Sequence, residues 1–578
     1  MAKSKSKSNF KYLLYGFGYF KKYWGKIALV FLISIITMVI SLVPIELTKR
    51  LIDIAIPNKD LHMVMNMILI IFGLHLVLLF VQYVQDLMMT KLGLDITRKM
   101  QLDFFSKLLH LPSTYFSHLN PGQLMERIID DTGEVVDSTI DLVLTPILDI
   151  VSIFIAIIYM FTVSPNLTFV ALAFVPIFIL MTFPVNKIIR KKYMRFKQLS
   201  ADVYNVMQEK ITSFKEITSH NKNDYEKKDL EKHLLRYNLF EYDYEKFSDK
   251  LGAVIAIISD LAPYAILLYA TILIIKGKFE VGTLMAFSML MPRLFGPVQA
   301  LAGKEFEFQT LGITAKRVFS ILHDAKPISE GKDVIKKIDG KIEFKNIDAG
   351  YSKQMLFTKL NLKFEPNKLI VVVGESGIGK STIFNLILRT MKTSKGKILL
   401  DNQDITKYKI DSLRHHIAIV NQQPVLFSNT LLFNIMYGSS FKTASMSDVI
   451  NVSKLVNIHE TILRLPKKYK THVDAASSLS SGQMHRITIA RALLRNPKIL
   501  LLDAPTAGLD AESAKHITNS LKKLKKDRTL VVVTNDINIT KIADKVILLE
   551  RTKNGLTTKQ GKHKELMKKS KTYKELIE

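Results

Sequence analysis

The sequence predicts a multi-domain membrane protein in which an all-α domain of six transmembrane helices precedes an α/β domain built around a phosphate-binding loop. Three observations support this fold class. Long apolar stretches are confined to the first half of the chain. The second half instead alternates short apolar strands with polar stretches of helical periodicity. Finally, a glycine-rich loop lies between one of those strands and the helix that follows it.

The apolar stretches of the first half are each long enough to cross a bilayer, which needs roughly 20 helical residues. A buried helix of a large soluble protein would account for one such stretch, but not for six in succession. The predicted spans are residues 27–47, 63–84, 142–163, 167–185, 251–275 and 281–301.

Charge and cysteine content narrow the function classes. The chain has 81 lysines and arginines against 52 acidic residues, a formal charge of +29, and no cysteine, which excludes disulfides and thiolate-bound metals. Positive charge is concentrated before the first span, after the fourth and throughout the second half. This pattern places both termini and the second half in the cytoplasm. No basic helix with interleaved aromatic residues is evident, so a nucleic-acid partner is not expected.

The domain order follows from these patterns. An interfacial N-terminus, the transmembrane domain, a lysine-rich linker and the second domain are predicted at residues 1–26, 27–323, 324–337 and 338–578. Two intervals between spans, 85–141 and 186–250, are too long to be simple turns. Their periodicity predicts a pair of helices extended beyond the membrane in each, with reversals near 112–131 and 211–226.

The stretch VVVGESGIGKSTIFNLIL combines a strand, a glycine-rich loop and an apolar-periodic helix. Glycines let the backbone direct N–H groups at phosphate oxygens, a lysine reaches the terminal phosphates, and a hydroxyl ligates magnesium. The loop residues are Gly374, Glu375, Ser376, Gly377, Gly379, Lys380, Ser381 and Thr382. A second apolar strand ends at Asp503, the expected carboxylate near that magnesium. The residues therefore predict an ATP or GTP site.

Further motifs resemble those of an ATP-binding cassette (ABC) exporter half-transporter, in which six spans are fused to one nucleotide-binding domain. LSSGQ at 479–483 resembles the family's signature motif. FKNIDAGY ends at Tyr351, where the family places the aromatic residue that stacks on adenine. VNQQPVLF contains Gln422, at the position of the family's magnesium-contacting glutamine. The resemblance covers essentially the whole chain, and its motifs occur in the family's order.

The resemblance implies ATP and Mg²⁺ as cofactors, with the metal near Ser381, Gln422 and Asp503. It also implies a dimer in a lipid bilayer, because in the family each ATP lies between one chain's phosphate loop and the other's signature. The residues acting in trans would be Ser480, Ser481, Gly482 and Gln483, followed by Asp510 of the D-loop. The two helix reversals then resemble coupling helices. Taken alone, Ser480 is also an ordinary helix N-cap and Tyr351 an ordinary strand-end aromatic.

Three departures from the family pattern concern hydrolysis. The family normally has a water-polarising glutamate after the strand-ending aspartate, where this chain has Ala504. Its switch histidine is replaced by Asn535, which can hydrogen-bond but carries no positive charge. DAAS, at 474–477, replaces a glycine- and glutamate-containing segment. No catalytic residue is therefore assigned, and hydrolysis at this chain's own site is expected to be impaired.

The pattern favours an asymmetric heterodimer, in which this chain supplies a degenerate ATP-binding site and its signature completes a partner's hydrolysing site. A homodimer that hydrolyses ATP slowly, through a water oriented by Gln422 or Asn535, is an alternative. A non-transporting, ATP-sensing membrane regulator is another.

Charged residues in or near the spans are candidates for substrate contact, since intramembrane charges tend to face a cavity or pair with one another. They are Glu46, Asp149, Asp260 and Arg293, and the prolines able to bend the helices near them are Pro44, Pro263, Pro292 and Pro297. A cavity with carboxylate and apolar lining would suit a cationic amphipathic peptide, drug or lipid. The resemblance and the composition together predict a bacterial cell-membrane exporter.

Overall fold

The computed structural model describes residues 2–116, 121–351, 354–439, 444–473, 479–552 and 555–578. The chain divides into two compact units. The first comprises Met1–Lys107 and Pro121–Ala325, and the second Leu108–Asn120 and Lys326–Glu578.

Helices make up nearly all of the described chain up to residue 325. They are α1 (Ala2–Phe20), α2 (Trp24–Ile40), α3 (Val43–Arg50), α4 (Leu61–Leu109), α5 (Ser113–Phe116), α6 (Pro121–Glu126), α7 (Thr132–Thr139), α8 (Thr145–Val163), α9 (Pro165–Thr212), α10 (Phe214–Ser219), α11 (Asn223–Ile275) and α12 (Val281–Phe319). Within the described residues, 4 helical stretches are long and apolar enough to cross a membrane. Two shorter apolar stretches, Pro165–Ile177 and Pro263–Ile275, lie in the predicted fourth and fifth spans.

The predicted first span, 27–47, lies within a helical stretch, Lys11–Ala55, that is long and apolar enough to cross a membrane, and two turn residues, Ser41 and Leu42, interrupt its α-helical pattern. α2 ends at Ile40 and α3 begins at Val43, with Pro44 in its first turn. The N–H groups of Ile45 and Glu46 both donate to the Leu42 carbonyl, each at 3.1 Å. Proline has no N–H to continue the helical ladder, so the break lies just before it. The other prolines considered, Pro263, Pro292 and Pro297, lie inside the continuous helices α11 and α12.

The core of the first unit lies where α12 meets its neighbours. Phe287, Leu290 and Leu294 of α12 are buried against Met160 of α8 and Ile266 of α11. Helices α9 and α11 continue well beyond their apolar stretches and turn back through α10, which confirms the predicted helix pair over 186–250.

The second unit contains two sheets. Its strands are β1 (Ile342–Tyr351), β2 (Gln354–Phe364), β3 (Leu369–Gly374), β4 (Lys395–Leu400), β5 (Gln403–Asp404), β6 (Ile417–Val420), β7 (Ile499–Asp503), β8 (Thr529–Val533), β9 (Lys545–Thr552) and β10 (Gly555–Gly561). One sheet is antiparallel with the order β2-β1-β4-β5, and the other has the order β10-β9-β3-β8-β7-β6. In the larger sheet every pairing is parallel except β9 with β10. Strands β3, β7 and β8 are buried at every residue, as expected for a parallel sheet covered on both faces.

Helices flank these sheets. They are α13 (Lys380–Ile387), α14 (Ile410–His416), α15 (Leu431–Met436), α16 (Met446–Leu455), α17 (His459–Leu463), α18 (Ser481–Leu494), α19 (Ala511–Leu524), α20 (Ile537–Ile542), α21 (His563–Lys569) and α22 (Lys571–Ile577). The short helix α5, in the predicted first reversal, belongs to this unit. The Ser113 N–H and hydroxyl both donate to the Thr390 carbonyl, at 2.8 and 3.1 Å.

Candidate nucleotide site

The glycine-rich loop connects the end of β3 to the start of α13. Gly377 and Gly379 have φ of +77° and +104°, a backbone region that side chains other than glycine rarely adopt. A Cβ on Gly379 would also lie 2.5 Å from Leu356 Cδ2. The loop therefore curls tightly between strand and helix, the geometry that directs backbone N–H groups towards an anion.

The Lys380 ammonium lies across this loop. Its Nζ donates to the carbonyls of Gly374 and Glu375, both at 2.7 Å. Burial lowers the pKa of Lys380, while the carboxylates of Asp503 and Glu375 oppose that shift. A cation held by neutral carbonyls can exchange them for phosphate oxygens, since charged partners form the stronger hydrogen bond.

Asp503 and Ser381 provide oxygen atoms suited to magnesium. Asp503 ends β7 and is 9% exposed, and burial raises its pKa against the opposing effects of a Ser381 hydrogen bond and the Lys380 charge. A buried carboxylate whose ionised form is disfavoured gains from a cation, and a carboxylate beside a hydroxyl is a donor set that Mg²⁺ prefers. The residues present therefore fit a magnesium ion bound with a nucleotide.

Most of the predicted site residues line one cleft of about 830 Å³ at the carboxyl ends of β3, β7 and β8. Carboxyl ends of parallel strands are where such sheets bind ligands. Those lining it are Tyr351, Ser376, Gly377, Gly379, Lys380, Ser381, Thr382, Gln422, Asp503, Ala504 and Asn535. The Tyr351 hydroxyl lies 3.2 Å from the Thr382 hydroxyl, so the predicted base platform is next to the phosphate loop.

Ala504 occupies a restrained position in this cleft. Its φ is +44°, unusual for alanine, and its N–H donates to the Val533 carbonyl at 2.7 Å. A methyl group at this point offers no oxygen to a water molecule. The cleft therefore has a methyl group at this point, on a backbone that is hydrogen-bonded to the end of β8.

Asn535 is turned towards the phosphate loop. Its Oδ1 accepts from the Gly374 N–H at 3.3 Å, and its Nδ2 donates to the Gly374 carbonyl at 3.2 Å. Both ends of the amide are therefore engaged with the first glycine of the loop.

Two charged residues of the cleft were missed by sequence reasoning. Asp536 contributes a carboxylate, but its Oδ2 accepts from the Thr506 hydroxyl at 2.7 Å and its Oδ1 from the Asn538 N–H at 2.8 Å. Asp536 therefore caps the start of α20. Arg551 of β9 also lines the cleft. An aspartate directly after the switch position was visible in the sequence, whereas nothing in the sequence signalled Arg551.

The residues predicted to act in trans lie elsewhere. Ser480 caps α18: its hydroxyl accepts from the Gln483 N–H at 3.2 Å, and Gln483 Oε1 accepts from the Ser480 N–H at 3.0 Å. The Ser481 hydroxyl donates to the Gly508 carbonyl at 3.4 Å, which accommodates serine in place of the family's glycine. None of these side chains is among those lining the described cleft.

The signature helix packs closely against the next one. A Cβ on Gly482 would lie 2.7 Å from the Ser513 hydroxyl oxygen and 2.9 Å from its Cβ. Asp510 caps α19 by accepting from the Ser513 N–H at 2.9 Å, and that hydrogen bond lowers the pKa of Asp510. Close packing thus places the predicted signature, at the start of α18, against the start of α19, which Asp510 of the predicted D-loop caps.

His485 of α18 was also missed. It is 2% exposed and hydrogen-bonded to the Gln422 backbone, while its Nδ1 has no hydrogen-bond partner among the described residues. Burial lowers the pKa of His485. The predicted departure at DAAS, residues 474–477, lies outside the described residues.

Comparison with known proteins gives a consistent result. Residues 27–298 match the family model of the ABC transporter transmembrane region, and residues 357–507 match that of the ABC transporter domain. The chain is 30% identical over 501 residues to "Putative multidrug export ATP-binding/permease protein YgaD" of Bacillus subtilis (strain 168), covering 86% of this chain and 85% of that protein. It is 31% identical over 504 residues to "Putative multidrug export ATP-binding/permease protein SAB1799c" of Staphylococcus aureus (strain bovine RF122 / ET3-1), with the same coverage.

Among solved structures, that of a bacterial Atm1-family ABC exporter with ATP bound superposes with a TM-score of 0.79. The alignment covers 96% of this chain and 98% of that chain at 21% sequence identity, which supports the fold. The predicted fold class, a helical transmembrane domain followed by an α/β domain, is confirmed. The chain therefore belongs to the ABC transporter family and has the exporter-type arrangement of one transmembrane domain and one nucleotide-binding domain.

Proposed function

We propose that this chain is one half of a heterodimeric, ATP-driven exporter and that its own phosphate loop forms a site that binds ATP but hydrolyses it poorly. Lys380 and the loop N–H groups would hold the phosphates, and Tyr351 would contact the base. Ser381, Gln422 and Asp503 would surround Mg²⁺, which on binding supplies positive charge next to the phosphate oxygens. Both termini and the nucleotide-binding domain would be cytoplasmic.

The observation that carries this proposal is the chemistry of the cleft around Ala504. Among the described lining residues, the carboxylates are those of Asp503 and Asp536. Asp503 is hydrogen-bonded to Ser381, one oxygen of Asp536 caps α20, and its other oxygen accepts from the Thr506 hydroxyl. Both carboxylates of the described cleft therefore already have hydrogen-bond partners, and neither occupies the position of Ala504.

Asn535 points to the same conclusion. Its amide is engaged with both polar groups of Gly374, so its bonds contribute to the shape of the loop. This weakens the alternative in which Asn535 orients the attacking water of a homodimer. By contrast, the capped start of α18 retains the groups that would complete a site on another chain.

The cargo is proposed to be an amphipathic peptide, drug or lipid. This rests on the family and on relatives named for multidrug export. ATP binding would drive the change between inward and outward openings through a difference in affinity for the two states.

Steady-state ATP hydrolysis in lipid nanodiscs tests the proposal. The purified chain should be near background, and the Ala504→Glu/Asn535→His variant should turn over about 100- to 10,000-fold faster, the usual contribution of a general base. Adding Lys380→Ala to that variant should abolish the gain if the activity comes from this phosphate loop. A second half-transporter that restores hydrolysis to the native chain would then identify the partner.

Ordinary exporter turnover by the native chain alone would contradict the degenerate site and favour a homodimer with another water-activating group. Absence of ATP-dependent flux in vesicles containing the heterodimer would contradict export and favour a non-transporting regulator.

A further inference from the structure

Arg293 lies near the middle of the apolar part of α12, about 18 Å along the helix from its first residue at 1.5 Å per residue. Its Nη1 donates to the Ser41 hydroxyl at 2.6 Å and its Nη2 donates to the Ser41 carbonyl at 3.1 Å. Ser41 lies at the break in the first span, directly after α2. Both partners are neutral, so these bonds position the guanidinium without balancing its charge.

Of the carboxylates named as candidates in the spans, Glu46 is already paired. Glu46 accepts from Arg50 Nε at 2.8 Å and from the Tyr159 hydroxyl at 2.9 Å. Asp149 lies within electrostatic reach of Lys304. The Asp260 side chain lies outside the part of the chain that the structure describes. No ion pair joins Arg293 to a carboxylate among the described side chains.

An unpacked apolar stripe runs beside Arg293. Residues Met285, Met289, Pro292 and Gly296 follow one another at helical spacing along one face of α12 and are exposed in this chain. The two methionines are 45% and 40% exposed, and a Cβ on Gly296 would meet nothing within 4 Å. The opposite face of α12 forms the core of the unit. Arg293 thus lies on the border between the packed and unpacked faces.

We infer that Arg293 and this stripe bind an anionic amphiphile, with the anionic head on the guanidinium and the apolar tail along the methionines. The inference rests on the proposed export function and names the class of its cargo. Among the described side chains the Arg293 guanidinium has no carboxylate partner; a charge without a counter-ion is costly within a membrane, and a bound anion would remove that cost. Guanidinium suits phosphate or carboxylate, and methionine adapts to irregular apolar shapes. The class of cargo inferred here therefore follows from the arginine and not from Glu46, whose charge is already paired with Arg50.

Equilibrium binding to the full chain in phosphatidylcholine nanodiscs tests this inference, with radiolabelled dodecyl phosphate and dodecyl trimethylammonium as probes of equal tail length. Dodecyl phosphate should bind about tenfold more tightly, the usual effect of one charge-assisted hydrogen-bonded contact. Arg293→Gln should abolish that preference, whereas Arg293→Lys should retain most of it. Arg50→Gln is the matched control, because it removes a cation already paired with Glu46.

A structural role alone predicts a different outcome. If Arg293 served only to hold the break in the first span, Ser41→Ala would reduce dodecyl phosphate binding as much as Arg293→Gln does. Equal affinity for the two probes, or an unchanged preference in Arg293→Gln, would overturn the inference. So would an Asp260→Asn variant that binds dodecyl phosphate more than tenfold tighter, because Arg293 would then be paired in the native chain.

Adding phosphatidylglycerol to the nanodiscs distinguishes two sources of the same chemistry. Competition with dodecyl phosphate would indicate a membrane lipid, and its absence a free amphiphile, and both outcomes support the anionic site. The proposed export function can fail without the anionic site failing, because binding of the probes needs neither ATP hydrolysis nor a partner chain. Anion-selective binding without ATP-dependent flux in the heterodimer would contradict export, whereas flux of the cationic probe alone would contradict only the anionic site.

Discussion

The cleft beside the phosphate loop and the start of the signature helix differ in how closely their residues match the family's motifs. The cleft retains its loop, its lysine and Asp503 but has Ala504 and Asn535 where the family has glutamate and histidine. The signature helix substitutes only Ser481, whose hydroxyl is satisfied by Gly508. Among the described residues, two departures from the family pattern, Ala504 and Asn535, line the cleft, and one, Ser481, lies at the signature helix.

This difference teaches that binding and hydrolysis depend on separable groups. Loop backbone, ammonium and carboxylate determine whether a nucleotide can be held. In the proposed function, the side chain next to the strand-ending aspartate determines whether water is activated. In the function proposed here, this chain lacks only the second set and its partner provides hydrolysis, and the following four predictions probe the two regions.

Substituting Gly482 should have the largest effect, and it should be confined to the signature side. Gly482→Ala brings a Cβ within 2.7 Å of the Ser513 hydroxyl. Overpacking typically costs about 1 to 3 kcal/mol, so the melting temperature of the full chain should fall by about 5 °C. Adding Ser513→Gly should restore it, because both close atoms are removed. ATP affinity at this chain's own cleft should not change; a loss there would show that the two regions are not separable.

The pH dependence of the free energy of unfolding should show that the His485 imidazole is buried in its neutral form. Burial lowers its pKa below the ordinary value of 6.5. The unfolded chain therefore takes up this proton at a higher pH than the folded chain. Stability should fall as pH decreases below about 6.5, by at most about 1.4 kcal/mol per pH unit, and be unaffected above it. Melting temperatures from pH 5 to 8 should show a smaller acid loss in His485→Gln than in the native chain. If melting temperature changed with pH in the same way in both proteins, the His485 imidazole would not be buried and neutral in the folded chain.

Asn535→Ala should weaken nucleotide binding rather than hydrolysis. The substitution removes both hydrogen bonds to Gly374, which for an exposed side chain should cost about 1 kcal/mol, or about fivefold in ATP affinity. Titration with a fluorescent ATP analogue measures this. Asn538→Ala, also exposed and three residues further on, is the matched control and should bind normally. An unchanged ATP affinity in Asn535→Ala would indicate that Asn535 acts near the γ-phosphate and does not support the loop.

The smallest expected effect concerns the backbone at Ala504. Its φ of +44° is unfavourable for alanine and free of cost for glycine. Ala504→Gly should therefore stabilise the chain by about 0.5 to 1 kcal/mol, raising the melting temperature by about 2 °C. Ala507→Gly, at a position without positive φ, should not stabilise. A destabilised Ala504→Gly variant would show that the methyl group packs usefully in the cleft.

Much of the fold and the site could be predicted from local sequence. Apolar stretches of bilayer length, buried strands and the glycine loop are properties of neighbouring residues. The same holds for Ser480, whose cap and its Gln483 partner are three residues apart. The first span could be predicted in the same way, and its helix is interrupted just before Pro44, which the sequence names as able to bend it.

The sequence by itself determined the class of protein, the prediction of a nucleotide site and the side chains at the positions of the family's glutamate and histidine. Each of these depends on a short contiguous motif. Only the tertiary structure decided where those side chains are engaged. Asn535 with Gly374 and Arg293 with Ser41 are pairs 161 and 252 residues apart. Such contacts depend on how strands and helices pack, and no spacing within a segment encodes them.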